Sequence, residues 1–408
     1  MEPINDEIAR EFRFFRVYKD GRIEIFYKTQ KVPPSTDAVT GVQSKDVTIQ
    51  PEPAVSARIF LPKIQDPAQK LPVLLYLHGG GFIFESAFSP IYHNFVGRLA
   101  AEAHAIVVSV EYGLFPDRPP PACYEDSWAA LKWLASHGSG DGTESWLNKY
   151  ADFDRLLIGG DSGGANLSHY LAVRVGSIGQ PDLKIGGVVL VHPFFGGLEE
   201  DDQMFLYICP ENGGLEDRRL RPPPEDFKRL ACGKMLIFFA AGDHLRGAGQ
   251  LYYEDLKKSE WGGSVDVVEH GEGHVFHLFN SDCENAADLV KRFGSFINQN
   301  ATNLPEKVGG ARVVLRDARG GFVEAGAWKI PALSSALHVE MQAVLHAVRL
   351  ASQLGYHRVR LENDSSLAIS IITTYVDSGY TMDLLAGDVL YSAASFTASK
   401  FVFVSRKK

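Results

Sequence analysis

The chain has 408 residues, 45% hydrophobic and 22% charged, the proportions of a globular protein with ample core and room for two or three domains. Its 41 Lys+Arg against 50 Asp+Glu leave a net charge of −9, which argues against nucleic-acid binding driven by overall charge, since phosphates attract a basic surface. No stretch approaches the ~18 uninterrupted apolar residues of a membrane span.

Short β-rich runs lie at Val73–Leu77, Ala105–Val110, Arg155–Ile158, Gly187–Val191 and Met235–Ala240. They are nearly continuously apolar, as strands covered on both faces must be. Helix-period segments around 92–103, 123–136, 163–175 and 249–260 separate them. The alternation predicts an α/β fold with a mainly parallel sheet and helices on both faces, and ligands bind such sheets at the carboxyl ends of the strands. A further helical pattern, 284–297, precedes the polar, turn-rich stretch Asn298–Pro305, where the charge balance also changes sign. Before residue 301 there are 29 basic and 41 acidic residues; after it, 12 and 9. The expected organisation is therefore a first domain over 1–297, a linker over 298–310 and a second part over 311–408. The ends, Met1–Glu7 and Ser405–Lys408, carry no secretory, lipidation or peroxisomal signal, which predicts a cytoplasmic protein. Cys123, Cys209, Cys232 and Cys283 are too scattered for a disulfide scaffold or a zinc module.

The loops that follow the apolar runs hold the chemistry. After Arg155–Ile158 stands Gly160-Asp161-Ser162-Gly163-Gly164, a G-x-S-x-G pattern between a strand and a helix. A strand turning abruptly into a helix strains its middle residue and leaves no space for neighbouring side chains, so Ser162 Oγ is projected above the sheet. The Gly163 N–H falls at a helix N-terminus, where it can stabilise an anion. After Val73–Leu77 comes His78-Gly79-Gly80-Gly81-Phe82, whose Gly79–Gly81 run exposes backbone N–H groups as an oxyanion hole requires. Both motifs fall on the same sheet edge.

A serine hydroxyl becomes a good nucleophile only when a histidine takes its proton and an acid orients that histidine. After Met235–Ala240, Asp243 occupies the place of the acid, followed by His244. After Val265–Val268, three histidines compete: His270, His274 and His277. His274 follows a glycine-bounded loop and directly precedes a new helix, which favours it. His277 falls about a turn inside that helix, where a packed or surface imidazole is expected. His270, nearest the strand end, is the second choice.

Residues 1–300 resemble the plant carboxylesterase group of the α/β-hydrolase fold, related to hormone-sensitive lipase and the gibberellin receptors. The likeness is carried by Val17–Arg22, Val32-Pro33-Pro34, Thr40–Val47, His78–Phe82, Glu85–Pro90, Gly160–Asn166, His192-Pro193-Phe194 and His274–Leu278. It implies a triad of Ser162, Asp243 and His274, oxyanion donors from Gly79, Gly80, Gly81 and Gly163, and a cap from residues 1–40 and a segment near 200–230. Two departures stand out. Tyr112-Gly113-Leu114-Phe115-Pro116-Asp117 replaces a Tyr-Arg-Leu-Ala-Pro-Glu segment, with expected loss of an ion pair, and Gly247 follows Arg246 where an aspartate is usual.

Past Gly309 the pattern changes. Strands are expected at Ala311–Asp317 and Phe322–Ile330, a helix at 336–354, a strand at Arg358–Glu362 and another at Phe401–Val404. Val313–Asp317, Glu340 and Glu362–Ser365 resemble signatures of the RNase H-like domain of plant retroelement-derived proteins. In that family four acids hold two metal ions for phosphodiester cleavage. Only Glu340 and Asp364 have counterparts here, and the first strand has none, so the extension is expected to be truncated, metal-free and inactive.

The sequence thus predicts a serine carboxylesterase acting on small acyl esters, without metal or organic cofactor and with no nucleic-acid or membrane partner. A hydroxyisoflavanone-type dehydratase using the same site, and a hormone-binding module of the gibberellin-receptor type, are the alternatives that the resemblance carries.

Overall fold

The computed structural model describes residues 6–140, 142–178, 183–299, 309–316, 322–330, 336–354, 356, 358–363 and 398–403. The chain divides into two compact units. The second consists of Pro305–Lys408 together with Val173–Leu183 and Lys228–Ala231, two short pieces that no composition shift marks; the first holds the remainder.

The first unit opens with a small antiparallel sheet of β1 (Ile8–Glu11), β2 (Phe15–Tyr18) and β3 (Ile23–Ile25). It is anchored by the buried Phe15, whose ring meets Phe12, Phe115 and Tyr207. The main sheet follows: β4 (Gln43–Gln50), β5 (Val55–Leu61), β6 (Leu71–Leu77), helix α1 (Pro90–Ala103), β7 (Ile106–Glu111), α2 (Ala122–Ala135), α3 (Ser145–Tyr150), β8 (Ala151–Asp161), α4 (Gly163–Ile178) and β9 (Gly187–Val191). Next come α5 (Glu199–Ile208), α6 (Pro224–Lys228), β10 (Lys234–Ala240), α7 (Arg246–Lys258), β11 (Ser264–His270), α8 (Phe276–Phe279) and α9 (Glu284–Asn298).

The eight strands lie in the order β11-β10-β9-β8-β6-β7-β5-β4. From β11 to β7 every pairing is parallel, whereas β5 and β4 add an antiparallel edge. The sheet is therefore mainly parallel, as its apolar runs require. Every residue of β6, β9 and β10 is buried, and burying each Val, Leu, Ile or Phe contributes about 1.5–3 kcal/mol. Leu99 and Ala103 of α1, Leu289 and Phe293 of α9, and Leu74, Val107 and Phe238 of the sheet join in one core cluster. That core holds the carboxyl ends of β6, β8 and β10 rigidly, and the candidate site is built on them.

In the second unit, β12 (Gly309–Arg316) and β13 (Phe322–Ile330) form an antiparallel hairpin, and β14 (Arg358–Asn363) pairs in parallel with β15 (Ala398–Phe403). Among the described residues these are two separate two-stranded sheets, with α10 (Ala336–Gln353) packing on both. Val344, Leu345, Val348 and Ala351 form its buried stripe, with the helical spacing read from the sequence. Asn298 closes α9, with Nδ2 bonded to Ala103 O at 2.7 Å, and Gly309-Gly310 open β12. Glu340 is a residue of α10, and Asp364 lies outside the described residues.

Candidate active site

Ser162 sits between β8 and α4 with φ +51°, in the left-handed region that L-residues adopt at some strain. Its backbone is fixed on both sides: Ser162 N–H donates to Val191 O of β9 (2.9 Å), and Ser162 O accepts from Ala165 N–H. Gly160 and Gly164 permit this turn, because a Cβ on either would lie 2.4 Å or less from Leu77 O of β6. The elbow geometry expected from G-x-S-x-G is present.

His274 Nε2 lies 3.0 Å from Ser162 Oγ, and His274 Nδ1 lies 2.8 Å from Asp243 Oδ2. An ionised carboxylate only accepts, so Nδ1 carries the proton and Nε2 is left to accept from the serine hydroxyl. Asp243 is buried after β10, and its other oxygen accepts from Leu245 N–H at 2.8 Å. The loop bearing His274 is held by a residue to which the sequence reading gave no role: His192, buried after β9, accepts from Val275 N–H on Nδ1 at 2.9 Å. Burial holds His192 well below the usual imidazole range, keeping it neutral for that task. His192, Asp243 and His274 bring metal-ligand atoms within 4.8 Å of one another, but these hydrogen bonds already engage each of them.

The competing histidines are occupied elsewhere. His270 Nε2 faces Asp288 Oδ2 of α9 at 3.0 Å. His277 is buried against Phe95 and is pushed down to about 3 by desolvation, with the neighbouring His274 and His270 adding to the effect. His244 lies beside Asp243 and lines the cavity over Ser162.

The glycine loop is pinned from below. His78 stacks on Tyr112 with ring centroids 4.2 Å apart, and its Nδ1–H donates to Gly79 O at 2.8 Å. Gly79 N–H donates to Tyr92 Oη at 2.7 Å, and that hydroxyl donates in turn to Asp161 Oδ2 at 2.7 Å. Tyr76 Oη donates to Asp161 Oδ1, also at 2.7 Å. This narrows the expected donor set by one: Gly79 N–H is engaged and cannot face an oxyanion, and a Cβ there would meet Asp161 Oδ2 at 2.5 Å. Gly80 and Gly81, at φ +101° and +62°, and Gly163 have no acceptor for their N–H among the described residues.

Asp161, the residue before Ser162, thus ties the turn at Ser162 to the glycine loop. Burial pushes its carboxyl up to about 6, against the opposing hydrogen bonds of Tyr76 and Tyr92. An acid whose pKa is raised on folding holds its proton better in the native state, so stability falls as pH rises from about 4 through 6. A carboxyl raised that far contributes on the order of 3 kcal/mol at low pH that is lost once it ionises. Asp161→Asn does not ionise, so its Tm relative to wild type should rise between pH 4.5 and pH 8. A difference that stays flat across that range, measured by thermal denaturation, would show that Asp161 ionises freely.

Both family departures are compensated. Arg118 lies over Gly113, where a Cβ would meet its Cβ at 2.8 Å, and Arg118 Nη2 pairs with buried Asp126 at 2.6 Å, so the guanidinium comes from five residues later. Arg246 pairs with Glu269 at 2.9 Å instead of using a neighbouring aspartate.

The cavity over Ser162 is closed by Phe14 from the turn between β1 and β2, and by Met204, Phe205 and Ile208 of α5. Both expected cap segments therefore contribute.

Residues 74–278 match the family model described as the alpha/beta hydrolase fold. The chain is 39% identical over 317 residues to Probable carboxylesterase 5 of Arabidopsis thaliana, covering 72% of this chain and 99% of that protein. The chain belongs to the plant carboxylesterases of the α/β-hydrolase fold. This places it in a family of carboxylic-ester hydrolases. Another member, 2-hydroxyisoflavanone dehydratase of Glycyrrhiza echinata, is 40% identical over 316 residues, covering 71% of this chain and 96% of that protein. Among solved structures, an esterase of Pyrobaculum calidifontis matches with a TM-score of 0.52 at 26% identity, covering 62% of this chain and 84% of that chain. Matching family members include proteins named as chloroplastic and mitochondrial, so membership fixes no compartment. No helix among the described residues is long and apolar enough to cross a membrane. Residues 298–408 match a second model, described as reverse transcriptase-like, in keeping with the RNase H-like resemblance of the extension.

Proposed function

We propose that this carboxylesterase hydrolyses small acyl esters with Ser162 as nucleophile, His274 as general base and acid, and Asp243 as the group that orients His274. The observation that carries the reading is the continuous chain of hydrogen bonds from Ser162 Oγ through His274 to Asp243, at 3.0 and 2.8 Å. Ser162 Oγ attacks the ester carbonyl while its proton passes to His274 Nε2. The tetrahedral oxyanion is held by the N–H groups of Gly80, Gly81 and Gly163. His274 then protonates the departing alkoxide, leaving an acyl-enzyme that water, activated by the same Nε2, hydrolyses. The cavity over Ser162 is small and walled largely by apolar side chains, which favours short acyl chains. No step requires a metal or organic cofactor.

Dehydration of a 2-hydroxyisoflavanone-type substrate is the second reading, favoured by the relative of that name at 40% identity; it would use the same base and the same oxyanion donors. A hormone-binding role needs no base, so a histidine hydrogen-bonded to the serine favours catalysis. We further propose that residues 1–297 carry the activity and that the RNase H-like extension from 311 is vestigial.

Incubation with an organophosphate tests the nucleophile, and shortening the chain tests the role of the extension. Labelling should fall on Ser162, hydrolysis of short aryl esters should cease with it, and the chain shortened to residues 1–300 should behave like the full chain. Labelling that survives in Ser162→Ala would refute the nucleophile, and loss of activity on shortening would show that the extension supports the site.

A further inference from the structure

Most of the cavity over Ser162 is apolar, formed by Phe14, Phe82, Phe194, Met204 and Phe205. One carboxylate interrupts it. Asp201, the third residue of α5, lines the cavity yet is only 4% exposed. Its neighbour Asp202 does ordinary structural work, accepting from Gly197 N–H at 3.1 Å on both oxygens and pairing with Arg221. Asp201 makes no comparable bond. Arg13 Nε stands 3.8 Å from Oδ1, an ion pair without a hydrogen bond, and Oδ2 is buried without a hydrogen-bond donor among the described residues.

His244 Nε2 stands 3.4 Å from Oδ2, and it cannot serve as that donor. Arg13 Nη1 donates to the same nitrogen. Because a guanidinium only donates, Nε2 presents a lone pair and carries no proton. Two acceptors therefore face each other across the cavity wall. A buried carboxylate oxygen left without a donor is unfavourable, and in a binding cavity it discriminates between ligands that bring a donor and ligands that do not.

We propose that Asp201 is a specificity-determining residue that accepts a hydrogen bond from the substrate, so that the enzyme selects esters bearing a free hydroxyl group. This rests on the esterase reading of the same site. The charge balance chooses among donors. Arg13 already stands beside the carboxylate, which removes most of the advantage a substrate ammonium would have, and a substrate carboxylate would meet a like charge. A neutral hydroxyl suits the site.

The test compares kcat/KM of the full chain on matched pairs of esters. Methyl butyrate against methyl 3-hydroxybutyrate reads the acyl side, and phenyl acetate against 3-hydroxyphenyl acetate reads the alcohol side. Wild type should favour the hydroxylated member of one pair by about 10- to 100-fold, and that pair identifies the side of the ester facing α5. Asp201→Leu should bring the ratio near unity by losing rate on the hydroxylated ester alone, while Asp201→Asn, which keeps an acceptor, should retain part of the preference. Equal rates within both pairs, or a preference unchanged in both variants, would overturn the proposal. Calorimetric binding of both pairs to Ser162→Ala reads the same preference without turnover, equal binding meaning equality within both pairs. Failure of the esterase reading would then appear as absent hydrolysis with the binding preference intact, and failure of this proposal as equal binding.

Discussion

Replacing Ser162 by alanine should reduce ester hydrolysis by about four orders of magnitude or more, and His274→Ala should do nearly the same. The two losses should not add. Ser162 Oγ is a useful nucleophile only while Nε2, 3.0 Å away, removes its proton, so once either group is gone the other has no remaining function in the attack. The double variant should therefore fall no further than the worse single one, and steady-state kinetics on a short aryl ester measures this directly. Asp243→Asn should also be severely impaired, because an amide at 2.8 Å from His274 Nδ1 can reverse the tautomer and place a proton on Nε2, where the serine needs an acceptor. His270→Ala should lose far less, since its partner is Asp288 on α9. His277→Ala should lower stability more than kcat, its ring being packed on Phe95. If His270→Ala were inactive and His274→Ala active, the assignment of the base would be wrong.

The parts of this architecture that the sequence made legible are those whose constraints are local. A strand buried on both faces has to be apolar throughout, so β6, β9 and β10 could be located within about two residues. A turn that tolerates no Cβ has to be glycine, so the loops at 79–81 and 160–164 could be read before any contact was known. β1 and β4 escaped notice: β1 is exposed along its whole length, and β4 is at most half-buried, so neither carries an apolar run. Helix α5 opens with four acids, Glu199 to Asp202, which break its apolar period, so the segment was expected only as part of a cap and not as a helix, although its second half closes the cavity. Long-range pairing was also invisible. Nothing near Gly79 signals that its N–H is engaged by Tyr92, thirteen residues on and in another element. Nor does Gly113 show that Arg118 folds back over it to reach Asp126. His192 illustrates the same limit: it was visible as part of a motif, but its task, holding Val275 N–H, exists only once β9 and the loop after β11 lie side by side.

Gly80→Ala should abolish activity while leaving most of the fold in place. At φ +101° an L-residue is strained by about 1–3 kcal/mol. A Cβ at this position would also lie 2.1 Å from Phe84 O and 2.9 Å from Phe84 C. These are backbone atoms of the turn that Gly80 itself closes, through Ile83 N–H and Phe84 N–H bonding to its carbonyl at 3.0 and 3.1 Å. No side-chain rotation relieves the overlap, so the loop must shift. A shift of the loop carries away the N–H groups of Gly80 and Gly81 together, and the loss of a single oxyanion donor is worth about 10²–10³ in kcat. Loss of both should exceed that, with a smaller change in KM, because the donors act on charge that develops only in the transition state. Gly163→Ala is the control. Its φ is not positive, its N–H survives the substitution, and the nearest atoms a Cβ would meet are ring carbons of Phe82 at 3.3 Å. That variant should keep kcat within about tenfold, since a ring that tilts by a few tenths of an ångström leaves the donor where it was. Equal, severe losses in the two variants would mean that crowding around Phe82, rather than placement of the N–H groups, governs the rate.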